Sequence, residues 1–111
     1  MRRGDLVTIA VGGDYGKPRP AVVMQSDAFR ALGSVTVLRL TSELHEWPAF
    51  RVTIQPSPRN GLRKPSQVMI DRAIALPVER IGVVFGRLDD SAMLVVSRAL
   101  ATFLGLDELA A

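Results

Sequence analysis

Cysteine is absent from the chain and histidine occurs once, at position 45. Without thiols there can be no disulfide, no thiolate nucleophile and no cysteine-ligated zinc, a pattern that agrees with a reducing compartment. A closed metal site needs about four ligands, and the acids are scattered apart from Asp89-Asp90. No metal and no other cofactor is therefore expected. A Ser-His-Asp arrangement would have to use His45, and no serine stands in a GxSxG elbow. Aromatic residues make up only 5% of the chain, with one Trp and one Tyr, so any stacking surface for bases must be thin. Apolar runs are too short for a spanning helix, which needs about 18 residues. Met1-Arg2-Arg3 looks like the opening of a signal peptide, but Asp5, Thr8, Gly12 and Asp14 interrupt an apolar segment. The expectation is a cytoplasmic protein with no membrane contact.

What is present is enough for one domain spanning residues 1–111, with 48% hydrophobic residues and no internal repeat. Net charge is +3 and the pI is about 10.2. That balance favours a polyanionic partner without identifying it.

Along the chain, residues 6–11 are apolar and β-branched and predict a first strand. Residues 12–18 predict a mobile flap. They lack GxxxxGK[ST] and GxGxxG spacing, and no helix pattern follows, so this is not a nucleotide-binding loop. Residues 20–25 predict a second strand, and 26–33 a short helical turn begun by Ser26 or Asp27 and ended by Gly33. Further strands are predicted at 34–40, 50–54, 67–71 and 81–88, with Asn60-Gly61 and residues 77–80 as turns. Asp89-Asp90-Ser91 then caps a closing helix whose Met93, Val96, Leu100 and Phe103 form one apolar stripe. The pattern predicts a mainly β, β-rich α+β fold: a small, curved antiparallel barrel, with a short helix after strand 2 and a C-terminal helix plugging or flanking it.

The chemistry lies where strands begin and end. Proline fixes φ and has no N–H to donate, so Pro18 and Pro20 hold Arg19 at the extended mouth of the second strand. A restrained guanidinium suits a phosphate, although an ordinary surface arginine between prolines reads the same way. Thr41 and Ser42 close the third strand, and Arg59, Arg63 and Lys64 precede the fifth. On one shared rim these groups make a cationic groove with hydroxyl donors, the chemistry of a phosphodiester site. On separate rims, Thr41-Ser42 serves loop backbone groups and the cations are a solvated charge run.

In chain order, RGDLV, KPRPAVV, VTVLRLTSE, GLRKPSQVMIDRA and a terminal helix resemble the MazF/PemK (CcdB-like) toxins of type II toxin-antitoxin systems over nearly the whole chain. The most specific piece is RPAVV followed by the strand ending LTS. The resemblance implies an SH3-like barrel that acts as a homodimer and cuts single-stranded RNA or mRNA at short sequences without a metal. An acidic, partly disordered antitoxin would lie over its cleft. The motif arginine falls on Arg19 and the motif hydroxyl on Thr41, the expected catalytic pair. Lys17, Ser42, Arg63, Lys64, Ser66 and Gln67 are the expected RNA contacts. Some members carry an acid before that glutamine, where this chain has Ser66.

The ribose 2′-OH would attack, leaving a 2′,3′-cyclic phosphate and a 5′-OH. Asp14, Glu43 or water is the candidate base, because arginine is a poor proton acceptor. Tyr15, Trp47 and Phe50 are the candidate surfaces for unstacked bases. The apolar excess of residues 81–85 and the helix motivates the homodimer. Two further readings fit the same residues: a CcdB-like DNA gyrase inhibitor acting through its dimer and helix, and a non-catalytic nucleic-acid-binding small barrel.

Overall fold

The computed structural model describes residues 1–11 and 17–108. Their order is β1 (Asp5–Ile9), β2 (Arg19–Val23), a 3₁₀ turn (Asp27–Leu32), β3 (Ser34–Thr41), β4 (Arg51–Ile54), β5 (Ser66–Pro77), a second 3₁₀ turn (Val78–Arg80), β6 (Ile81–Arg87) and α1 (Asp90–Phe103). The strands form one antiparallel sheet in the order β4-β5-β3-β2-β1-β6. Most of the expected flap, residues 12–16, lies outside the described residues. No helix among the described residues is long and apolar enough to cross a membrane.

The sheet curls, and its edges are joined by a turn instead of a strand ladder. The Arg87 N–H donates to the Arg59 carbonyl at 3.1 Å, so the loop after β4 reaches across to β6. Gly86 makes that approach possible, since a Cβ there would stand 2.0 Å from the Asn60 carbonyl oxygen. The sheet thus takes the expected small, curved barrel-like form without closing through strands, its two edges bridged by the loop at residues 57–62.

Side chains alternate between two apolar clusters, one on each sheet face. The larger cluster includes Leu6, Val22, Leu38, Leu40, Val68 and Ile70, and Val96 of α1 seals it. The smaller one holds Val7, Ile9, Ala21, Val23, Val35 and Val37. Between Leu38 and Leu40 the pairing of β3 with β5 slips. The slip is by an odd number of residues, so the alternation of β5 inverts: Val68 and Ile70 feed the larger cluster, Ile74 and Leu76 the smaller. This strand outruns the expected 67–71, because Ile74 and Leu76 alternate with Ala73 and Ala75 beyond the irregularity.

Helix α1 begins as expected: the Asp89 carboxylate accepts the Ala92 N–H at 2.8 Å. It flanks the sheet, packing Ala92, Met93, Val96, Ala99 and Leu100 inward. Phe103, expected on the same stripe, is instead exposed, and the inward packing of α1 ends at Leu100. Leu94 and Val95 on α1 and Val83 and Val84 on β6 are exposed as well.

Candidate functional site

Strand register gathers the chemistry at one end of the sheet. Ile9 pairs with Arg19, Ala21 with Arg39, Thr41 with Gln67 and Gln67 with Thr53. Continued two residues, the β2–β3 register sets Arg19 opposite Thr41. Directly opposed residues of antiparallel strands share a face, so Arg19, Thr41, Gln67 and Thr53 form a transverse row on the face of the smaller cluster. Strand spacing is about 4.8 Å.

An open cleft of about 230 Å³ forms over the Arg19–Thr41 end of this row, lined by Arg19, Pro20, Arg39, Leu40, Thr41, Ser42, Ser66 and Met69. It unites four of the residues singled out from the sequence: Arg19, Thr41, Ser42 and Ser66. Arg19 is the first residue of β2, and Pro20, which cannot donate to a ladder, confines it to that mouth. The Thr41 Oγ1 accepts the Glu43 N–H at 3.0 Å, which orients the hydroxyl and leaves its single proton available to an acceptor. The Ser66 hydroxyl donates to the Lys64 carbonyl at 3.0 Å.

Arg39 is the residue that sequence reading missed. It stands two positions before Thr41, hence on the same face, and diagonally from Arg19, within reach of long side chains. The signal was present in the alternation Val37, Arg39, Thr41. Two guanidiniums and three hydroxyls thus line the cleft, and none of its lining residues among those described is acidic.

The other expected residues stand apart. Lys17, Arg63 and Lys64 are exposed beside the cleft and do not line it. Asp14 and Tyr15 lie outside the described residues. Glu43 is exposed, its carboxylate 3.4 Å from His45 Nε2. Gln67 is 5% exposed, and its amide is committed within the chain. Its Oε1 accepts the His45 N–H at 3.0 Å, while its Nε2 donates to the His45 carbonyl at 2.9 Å and to Thr53 Oγ1 at 3.1 Å.

That clamp shapes a neighbouring hollow of about 570 Å³, lined by residues including His45, Trp47, Arg51, Thr53 and Gln67. Trp47, a candidate surface for unstacked bases, is 43% exposed. Phe50, by contrast, packs against the larger core cluster.

Known proteins match this chain over nearly its whole length. A family profile described as "PemK-like, MazF-like toxin of type II toxin-antitoxin system" matches residues 2–104. A protein of Mycolicibacterium smegmatis named "Probable endoribonuclease MazF" is 42% identical over 107 residues, covering 96% of this chain and 98% of that one. Among solved structures, an "Endoribonuclease in complex with its cognate antitoxin from Mycobacterial species" superposes with a TM-score of 0.81 at 26% identity, covering 96% of each chain. The "Mycobacterium tuberculosis toxin MazF-mt6" gives 0.77 at 24% identity, covering 90% of this chain and 95% of that one, a likeness of fold.

Proposed function

The chain belongs to the PemK-like, MazF-like toxins of type II toxin-antitoxin systems, and from that premise we propose that it is a cytoplasmic endoribonuclease that cleaves single-stranded RNA, mRNA included, at short sequences. The observation that carries the reading is the meeting of Arg19, Arg39, Thr41, Ser42 and Ser66 around one cleft.

The reaction follows from those groups. RNA brings its own nucleophile, so the protein must align the 2′-OH with the departing 5′-oxygen, stabilise the phosphorane and supply a proton to the leaving group. Arg19 and Arg39 neutralise the non-bridging oxygens, since a guanidinium presents a fixed fork of donors that stays charged. Thr41 donates its hydroxyl proton to one of them. The bond from phosphorus to the 5′-oxygen breaks as the bond to the 2′-oxygen forms, giving a 2′,3′-cyclic phosphate and a 5′-OH. Arg19 hydrogen-bonds the leaving oxygen while water supplies its proton, and water, Asp14 or Glu43 takes the 2′-OH proton. No metal enters this scheme.

Lys17, Ser42, Arg63, Lys64 and Ser66 guide the RNA backbone along the rim, and Gln67 acts on it through the loop that it clamps. Exposed Val83 and Val84 with Leu94 and Val95 support a homodimer. An acidic, partly disordered antitoxin is the fitting partner, because a cationic cleft must be masked in the cell that makes it. Purified protein incubated with an oligoribonucleotide in EDTA tests the reading. Cleavage with cyclic phosphate ends supports it. Retention of RNA without cleavage would make the chain a binding module, and neither result would leave the gyrase-inhibitor reading.

A further inference from the structure

Beside the cleft, three rings stand in line. His45 and Trp47 are stacked with centroids 4.1 Å apart and planes within 3°, and Trp47 stacks on Phe50 at 5.4 Å. Phe50 roots the stack in the core, so His45 is its outer end, and among the described residues no further ring covers it. Arg51, its side chain 8% exposed, lies over both Trp47 and Phe50, at 5.2 and 5.7 Å from their centroids.

A stack of large rings at the surface is costly unless something holds it there, and here the backbone is fixed at both ends. Gln67 grips the N–H and the C=O of His45. The Trp47 carbonyl accepts the N–H groups of Phe50 and Arg51 at 3.1 and 2.9 Å. The rings are thereby preorganised, which reduces the ordering cost of receiving a flat ligand. The hollow in front of them, about 570 Å³, falls within the usual size of ligand sites, roughly 300–1,000 Å³.

Position selects the occupant. Gln67 lines this hollow and is the direct cross-strand partner of Thr41 in the cleft. The ring stack therefore begins about one to two strand spacings, roughly 5–10 Å, from the phosphate position. Every nucleobase has a π-face, and unpaired bases stack on aromatic rings and on His.

We propose that the His45–Trp47–Phe50 stack is a nucleobase subsite, in which a base flanking the scissile phosphate continues the stack on the imidazole of His45. The assignment rests on the cleft being the RNA-cleaving site. It separates two tasks along one row of the sheet: Arg19, Arg39 and Thr41 handle the phosphate, which every sequence shares, while the clamped loop meets the base, which differs. It also gives buried Gln67 a positioning role, since the imidazole's place depends on the amide that fixes its backbone.

The chain's single tryptophan is Trp47, so intrinsic fluorescence reports on this site alone. The test titrates wild-type protein with a mixed-sequence 2′-O-methyl oligoribonucleotide, which cannot be cut, and with a fully abasic 2′-O-methyl strand of the same length. The phosphates are then matched and only the bases differ. The intact strand should quench Trp47 and bind roughly 5- to 150-fold more tightly than the abasic strand, as expected for stacking of one base. His45→Ala, which leaves the backbone clamp in place, should lose most of that preference, and His45→Phe should keep it. Equal binding of both strands, with unchanged Trp47 emission, would overturn the subsite and leave the platform to a protein segment. Cleavage of unmodified RNA is scored in parallel. Cleavage without base-dependent quenching removes the subsite and spares the nuclease, whereas quenching without cleavage removes the nuclease and with it the subsite as a part of cleavage, leaving a base-binding platform of a binding module.

Discussion

Replacing Gln67 by leucine should separate the stability of the site from its chemistry. The two side chains are similar in size, and the position is 5% exposed, so packing changes little. What is lost is hydrogen bonding: one bond accepted from the His45 N–H, one donated to the His45 carbonyl and one donated to Thr53 Oγ1. At a net worth of about 1 kcal/mol each, these total about 3 kcal/mol, because half-buried His45 cannot fully recover them from water. For a domain of this size that corresponds to a drop in thermal midpoint of roughly 10–20 °C. Gln67→Glu keeps the acceptor but sets a buried carboxylate oxygen against the His45 carbonyl, so it should melt no higher than the leucine variant. Calorimetry gives the midpoint, and Trp47 emission shows whether the ring stack has come loose at temperatures where the fold persists. A Gln67→Leu protein melting within about 2 °C of wild type would refute the clamp, since a shift that small corresponds to less than one ordinary hydrogen bond.

Arg19→Ala should abolish RNA cleavage and leave the thermal midpoint nearly unchanged, because Arg19 is exposed at the mouth of β2; a variant cutting at wild-type rate would remove Arg19 from the mechanism. Thr41→Val should lower the rate about 10²- to 10³-fold, the scale for losing one donor to a developing oxyanion, whereas Thr41→Ser should stay within about tenfold. Equal losses in the two would point to packing. The Asp89 carboxyl is held below its ordinary value of 3.8, first by the Ala92 N–H, then by the Ser91 hydroxyl and the charge of Arg59, against a small opposing cost of desolvation. A depressed carboxyl stabilises the fold fully above its unfolded value and loses that contribution as pH falls through the folded one. Melts between neutral pH and about pH 2 should thus show wild type losing more than Asp89→Asn, whose amide still caps the helix without titrating; parallel profiles would show that the cap does not depend on charge.

The features legible in the sequence were those fixed by near neighbours. Two prolines announce the mouth that holds Arg19, Ser26 and Gly33 bracket the first 3₁₀ turn, and Asp89 marks the start of α1, because each acts within one turn of backbone. Where distant segments decide, the reading was incomplete. Gln67 was expected among the RNA contacts, and only a loop 22 positions earlier in the chain makes it a buried clamp. Phe103 obeyed helical periodicity, yet nothing of the larger core cluster packs against it. Arg39 was passed over because residues 34–40 were read for their apolar positions alone, while the fold splits these between two faces, with Leu38 and Leu40 in one cluster and Val35 and Val37 in the other. The same split makes the site depend on register. A one-residue slip of β3 would turn Arg39 and Thr41 onto the face of the larger cluster and carry Leu40 toward the phosphate position. The buried leucines that prevent this slip are therefore as necessary to the cleft as the guanidiniums that line it.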